Sequence, residues 1–313
     1  MVAGAEVVGD AGGAAPALAT RGRPPHARLW RFARRRPLGA ISGVVSIFIL
    51  LIALGAYTKV LLLHDPIVTH GADRLLPFFS DSADGERYYI LGTDDLGRDM
   101  FSRLAEGAKI SIFFGMGVTL ISVTVGGAVG LVSSYVGGKF DLVIQRLVDA
   151  LQTVPLLVLA IAIVSISGPG IMKGFWVLAI LSIPRPVRVI RGSVLAVREE
   201  TYIEAARSLG ASDRRVMLRH VLPNVMAPMI VLASYVLAVA IIIEASLSFL
   251  GVGAQAPTPS WGAMLSGNGA VYFSTNPRLA LMPGLAISLV VFATNMFGDS
   301  LRDELDPRLR GSR

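Results

Sequence analysis

The chain has 313 residues, of which 53% are hydrophobic and only 16% charged, and a formal net charge of +7; its mean hydropathy is +0.62. About a quarter of the residues in an ordinary soluble domain are charged, so this sequence is built for a bilayer. Its zero cysteines exclude disulfides, thiol catalysis, iron–sulfur clusters and cysteine-based zinc sites, and the arginines crowd beside apolar runs, which argues against nucleic acid as a partner.

Residues 1–36 form a tail. Its first 20 residues are Gly/Ala-rich without periodicity and read as disordered, and Arg21, Arg23, Arg28, Arg31, Arg34, Arg35 and Arg36 follow. By the positive-inside rule this tail is cytoplasmic. Crossing the hydrocarbon core takes about 20 helical residues, because the backbone must satisfy its own hydrogen bonds there. A first span is predicted within 37–63, around the charge-free run 38–58. That run exceeds the core of a cleavable signal, about 7–15 residues, and is read as an uncleaved span.

The segment 64–107 carries nine acids against four arginines and falls outside. Within it Asp94, Asp95, Arg98 and Asp99 read as turn and cap residues before a short amphipathic helix through Phe101 and Leu104. Calcium would require more carboxylates at alternating positions and a closing glutamate, so no metal site is expected. His64 and His70 read as surface residues.

The second span is predicted at 111–138, with Gly126 and Gly130 at the small-x-x-x-small spacing that lets helices approach closely. A third follows at 154–172. Ahead of it Asp141, Gln145, Asp149 and Gln152 fall on one helical face, either lining the vestibule of a path or marking an amphipathic turn at the membrane interface. The fourth is short: its uncharged part, 174–184, is 11 residues and must borrow from 171–172 or 187–190. Counting it as re-entrant would leave an odd number of crossings, so six spans are predicted. The fifth runs 222–243 and the sixth 279–297, with Asn295 and Asp299 in and after the last, open to the same two readings.

Glu244 is the most pointed residue in the membrane region, since a charge near the bilayer centre costs about 2.5–3.5 kcal/mol on insertion scales. It either lines a path or hydrogen-bonds a partner subunit or the nearby Ser246 and Ser248.

Between the fourth and fifth spans, 185–223 holds eight arginines against four acids and falls inside. Thr201-Tyr202-Ile203-Glu204 fits a capping box, opening a helix through Ala205, Ala206 and Leu209. Gly210 closes it, and Ser212 or Asp213 caps a second short helix carrying Arg214, Arg215, Met217 and Leu218 up to Pro223. The small residues Ala205 and Ala206 leave a face that another protein's groove could seat against. The other reading is an amphipathic pair lying on lipid headgroups.

Glu204-Ala205-Ala206, then Gly210, His220 and Leu222-Pro223 at their spacing, resembles the coupling segment of binding-protein-dependent ABC permeases. His220, in place of the usual isoleucine, is similar to the dipeptide and oligopeptide branch. Three further stretches resemble its C-type permeases in order: Leu91 to Asp99 continuing to Gly107, Glu244 to Gly251 with Pro257 to Gly262, and Gly298 to Arg308. The likeness covers roughly residues 35 to 310.

It implies an all-α membrane protein of six transmembrane helices, with the type I ABC importer permease fold in 108–305 and cytoplasmic coupling helices. The tail 306–313 would be cytoplasmic, like the N-terminus, in a bacterial inner membrane. Implied partners are a second homologous permease subunit, two ATPase subunits and an extracytoplasmic peptide-binding protein. No cofactor is expected on this chain, with ATP and magnesium held by the ATPases; the sequence has no Gly-x-x-x-x-Gly-Lys-Ser/Thr loop.

The residues implied for coupling are Glu204, Ala205, Ala206, Gly210, Arg215, His220, Leu222 and Pro223. Those implied for the translocation path are Glu244, Ser248, Asp149, Gln152 and Asn295. The expected cargo is a di- or oligopeptide, with nickel or glutathione as alternatives in the same family. A stand-alone secondary transporter would need its own coupling-ion site in paired repeats, at which only Glu244 and Pro184 hint.

Overall fold

Charge-poor sequence becomes helix through most of the chain, with interior prolines at Pro228 and Pro283 accommodated. The computed structural model describes residues 33, 34 and 36–305, apart from the side chain of Asn268. The expectations for residues 1–20 and 306–313, and for most of the N-terminal arginines, lie outside these.

Helix α1, Pro37–Tyr57, opens on a proline at its first turn, where the missing N–H costs nothing. Its buried stripe is Gly39, Ser42, Ile49, Ala53 and Ala56. Leu38, Ile41, Val44, Ile47 and Phe48, each at least 60% exposed, face outward as a lipid-facing surface would. Helix α2, Met100–Val136, is a single 37-residue helix, so the short amphipathic helix expected at Phe101 and Leu104 is its first turns rather than a separate element. Asp99 caps it, accepting from the amides of Phe101 at 3.3 Å and Ser102 at 3.0 Å.

The next two expected spans are broken. Helix α3, Gly138–Gln152, meets α4, Leu156–Ser167, at a bend of 79°. Pro155 sits at the break, and a proline disfavours helical geometry in the residue before it. The apolar helix expected over 154–172 is thus only 12 residues. The fourth is also made of pieces, α5, Ile171–Leu181, and α6, Pro184–Arg198. It draws on both flanks considered from sequence. The Gly170 amide donates to the Val252 carbonyl at 3.1 Å, beyond the end of the fifth span. At the other extreme Arg198 donates to the Ser134 carbonyl at 2.5 Å, near the end of α2.

Helix α7, Thr201–Ser208, precedes α8, Asp213–Val216. A π turn over Met217–Val221 joins α8 to α9, Leu222–Phe249, and the whole forms one 37-residue helix. The second short helix expected before Pro223 is therefore the start of the fifth span. Pro223 has no N–H to give the preceding turn, and the wider π turn lies directly before it. Helix α10, Trp261–Met264, is followed by α11, Arg278–Leu305.

Among the described residues four helices are long and apolar enough to cross a membrane, and the bent α3–α4 pair makes a fifth candidate. Of the six predicted spans, the third and fourth are assembled from shorter helices.

Close approach is built in by Gly126 and Gly130. A Cβ on Gly126 would lie 2.7 Å from the Ile183 carbonyl oxygen, and one on Gly130 2.6 Å from that of Val187. The small-x-x-x-small pair is thus the seat of α6 on α2, a packing role.

Contacts assign elements to two ends. Arg36, before α1, pairs with Asp303 near the end of α11 at 2.7 Å. At the opposite end, Arg278 at the start of α11 donates to the Leu75 carbonyl at 2.9 Å. The segment 64–99 is folded there, with a two-stranded hairpin of β1, Ser80–Asp81, and β2, Tyr88–Tyr89.

Candidate functional site

The segment from Glu204 to Pro223 lies with the C-terminal ends of α2 and α6. Helix α7 begins at Thr201 with Glu200 at the N-cap, and no side chain caps it. The expected Thr201–Glu204 capping box is not formed, because Thr201 is already inside the helix. Ile203 is fully buried among Leu131, Ile190, Val194, Val216 and Val225, with Ala206 packed at the edge of that cluster. Seating Ile203 fixes which face of α7 points inward. Glu204, Ala205 and Ser208 are left exposed, and Leu209 is 89% exposed.

Gly210 follows at φ +82, the left-handed conformation that ends a helix, as expected from sequence. Ser212 takes the next N-cap position without a side-chain hydrogen bond. The Asp213 carboxylate instead accepts from the Tyr135 hydroxyl at 2.8 Å. Arg207 reaches that same hydroxyl oxygen at 3.4 Å, and its guanidinium lies 5.6 Å from the ring centroid.

Arg215 lines an open depression with Ser212, Arg214, Leu218 and Arg219. Asn224, on the first turn of α9, donates to the His220 carbonyl at 2.6 Å and to the Tyr202 hydroxyl at 3.1 Å. Leu222 is half-buried and Pro223 exposed. The structure brings all the expected coupling residues into one region. It adds the anchoring role of Ile203 and the Tyr135, Arg207 and Asp213 contacts; the sequence marks Ile203 only within the capping box and Asp213 only as a cap.

The expected path residues divide. Glu244 and Ser248 are buried, at 1% and 2% exposure. Ser111 donates to Glu244 at 2.7 Å and Ser248 at 2.9 Å, while Ser248 accepts from the Ala254 amide at 3.0 Å. Ser246 takes no part, since its hydroxyl bonds the Ile242 carbonyl. Glu244 thus ties α2, α9 and the loop after α9 together from the interior.

Asp149 and Gln152 lie elsewhere. Asp149 pairs with Arg188 at 2.6 Å, and Gln152 borders a cavity of about 500 Å³ with Ser182, Arg185, Arg188 and Tyr235. Asp141, on the same face of α3, holds Arg191 at 2.8 Å. The polar face read from sequence is therefore largely the α3–α6 contact. Asn295 is half-buried on α11 and does not border that cavity.

On the opposite end Asp73, 2% exposed, accepts from the Tyr89 hydroxyl at 3.0 Å and the Ala83 amide at 2.7 Å. Asp94 accepts from the Arg98 amide at 3.0 Å and its Nε at 2.7 Å. Asp94 and Asp99 are turn and cap residues, as expected. His64, expected at the surface, is half-buried, with its ring tilted 45° to that of Tyr89 at a centroid distance of 5.0 Å. At the hairpin tip the Ser82 hydroxyl, then the Glu86 amide, holds the Asp84 carboxyl below its ordinary value.

Residues 122–311 match the model of the binding-protein-dependent transport system inner membrane component. The chain belongs to that family. Its similarity to curated permeases extends further: it is 40% identical over 289 residues to the glutathione transport system permease protein GsiD of Shigella flexneri serotype 5b, covering 92% of each chain. The same-named protein of Escherichia coli O157:H7 is 38% identical over the same length. The fold matches the inward-facing MetNI methionine ABC transporter at a TM-score of 0.56 and 16% identity, over 66% of this chain and 98% of that one. The protein is thus an ABC importer permease, a multi-pass component of the inner membrane. The match to the solved structure spans only part of the chain, so this permease carries sequence beyond the shared helical unit.

Proposed function

We propose that this permease forms, with a second homologous permease subunit, the path of an ATP-driven importer of short peptides, glutathione first among them. Two ATPase subunits seat against α7, and an extracytoplasmic binding protein delivers cargo to the end bearing residues 64–99. The observation that carries this reading is the construction of α7: one face locked by Ile203 and the other bare at Glu204, Ala205 and Leu209. A helix held this way can be gripped on its free side and can move the elements behind it. The work on this chain is mechanical, with Glu204 to Pro223 as the handle and ATP hydrolysed on the partners.

In this reading the end with Arg36, Asp303 and the α7 segment is cytoplasmic. The ion pair between Arg36 and Asp303 supports both termini lying on that side. The cargo assignment rests on the names of the relatives, whose alignments span nearly the whole chain. Co-expression with the ATPase subunits tests the docking, and glutathione uptake in reconstituted vesicles tests the cargo. Gly210→Val, which forces a β-branched residue to positive φ, should abolish uptake while the permease still inserts. Failure to co-purify any ATPase, with Gly210→Val transporting normally, overturns the reading.

A further inference from the structure

Arg191, Arg188 and Arg185 recur every three residues on α6, and α3 runs beside them. Asp141 answers Arg191 at 2.8 Å and Asp149 answers Arg188 at 2.6 Å. Beyond Asp149 α3 carries no further acid and ends in the neutral Gln152. The chain then bends away at Pro155, and the cavity of about 500 Å³ opens at that place. Its wall is largely apolar, from Leu156, Leu159, Leu181 and Val239, and none of its lining residues is acidic.

Arg185 enters this cavity with no described carboxylate partner. It is held instead by Tyr235 of α9, donating to the hydroxyl at 2.7 Å with its guanidinium carbon 3.9 Å from the ring centroid. Stacking on an aromatic face fixes the planar fork and leaves N–H groups directed elsewhere. A larger groove of about 740 Å³ between α1, α2, α9 and α11 has no charged residue in its lining and offers nothing comparable.

We propose that the cavity at Arg185 is a carboxylate-binding station on the translocation path, completing the third rung of the α3–α6 ladder with an acid carried by the cargo. The ligand class is a small peptide with a free carboxylate. The apolar wall takes its side chains, Arg185 takes its carboxylate, and the Gln152 amide and Ser182 hydroxyl offer neutral hydrogen bonds. Because the site lacks an acid of its own, the charge that fills it can leave again with the cargo. This rests on the peptide-importer reading above.

The test uses the assembled importer in lipid nanodiscs without nucleotide, measuring equilibrium binding of glutathione, and in vesicles, measuring its uptake. Arg185→Gln removes the cation. Gln152→Glu supplies the missing acid from the protein itself and leaves Arg185 in place, so it tests the site even if Arg185→Gln fails to assemble. Both variants should weaken binding about tenfold or more, the scale of one lost charge-assisted hydrogen bond. Arg185→Lys should retain part of the binding by keeping a point charge. Binding that is equal in wild type and both variants, or absent from wild type, overturns the station. Absence of uptake by the wild type overturns the cargo reading instead.

Discussion

At the end bearing residues 64–99 the chain is pinned to the helix ends by many polar contacts. Asp73 gathers a tyrosine hydroxyl and a backbone amide, Asp94 folds Arg98 back on itself, and Arg278 reaches across from α11 to the Leu75 carbonyl. At the other end α7 is held by one buried side chain, Ile203, and by two hydroxyl contacts, Arg207 on Tyr135 and Asn224 on Tyr202. Directional bonds from several sides fix a surface in place, whereas one apolar anchor with a hinge-like glycine beside it leaves an element that moves as a unit. In the proposed function the first end receives a partner without changing shape, and the second is driven by one.

The contrast can be broken most severely at the anchor. Ile203→Asp should release α7 altogether, since even truncating a buried isoleucine to alanine costs about 2–5 kcal/mol and a buried carboxylate without a partner costs more. Uptake should vanish and a protease site should appear between 198 and 213 in limited digestion, with the permease still in the membrane. A smaller effect is expected at the opposite end. Asp73→Ala leaves the Tyr89 hydroxyl and the Ala83 amide without their acceptor, worth about 1–3 kcal/mol. Hydrogen exchange should accelerate across 73–93 and remain unchanged across 201–221. The smallest is Tyr135→Phe, which removes a single hydroxyl shared by Asp213 and Arg207, about 0.5–1.5 kcal/mol. Assembly should survive, while the ATP hydrolysed per molecule imported should rise as α7 transmits less of its motion to α2.

The sequence made some of this visible and hid the rest for identifiable reasons. Helices α1, α9 and α11 lie where charge-free runs place them, because length and hydropathy alone decide them. The breaks at Pro155 and between α5 and α6 were harder to place, since an apolar run looks the same whether or not a proline bends it. Gly126 and Gly130 were read as packing residues from spacing alone, and that spacing fits α6 onto α2. Gly210 could be read because its requirement is local. The capping box failed because Ile203 drives the start of α7: burying it draws Thr201 into the helix and leaves the cap to Glu200.

Contacts between distant residues were out of reach. Ser248 lies one turn from Glu244 and was named, but Ser111 comes from another helix and nothing local points to it. The same holds for Tyr135 on Asp213, and for Arg188 and Arg191 on their aspartates. Those pairings turned a polar face into a ladder and made the unanswered Arg185 recognisable.

The central claim is that the bare face of α7 is where the driving partner sits. The native chain has no cysteine, so Ala205→Cys on that face and Ala83→Cys on the hairpin at the other end each give a unique thiol for a membrane-impermeant maleimide in detergent. With the ATPase subunits bound, labelling at position 205 should fall about tenfold or more relative to the permease alone, the protection expected of a thiol buried in an interface, while labelling at position 83 is unchanged. Equal labelling at position 205 with and without the ATPases would contradict the account.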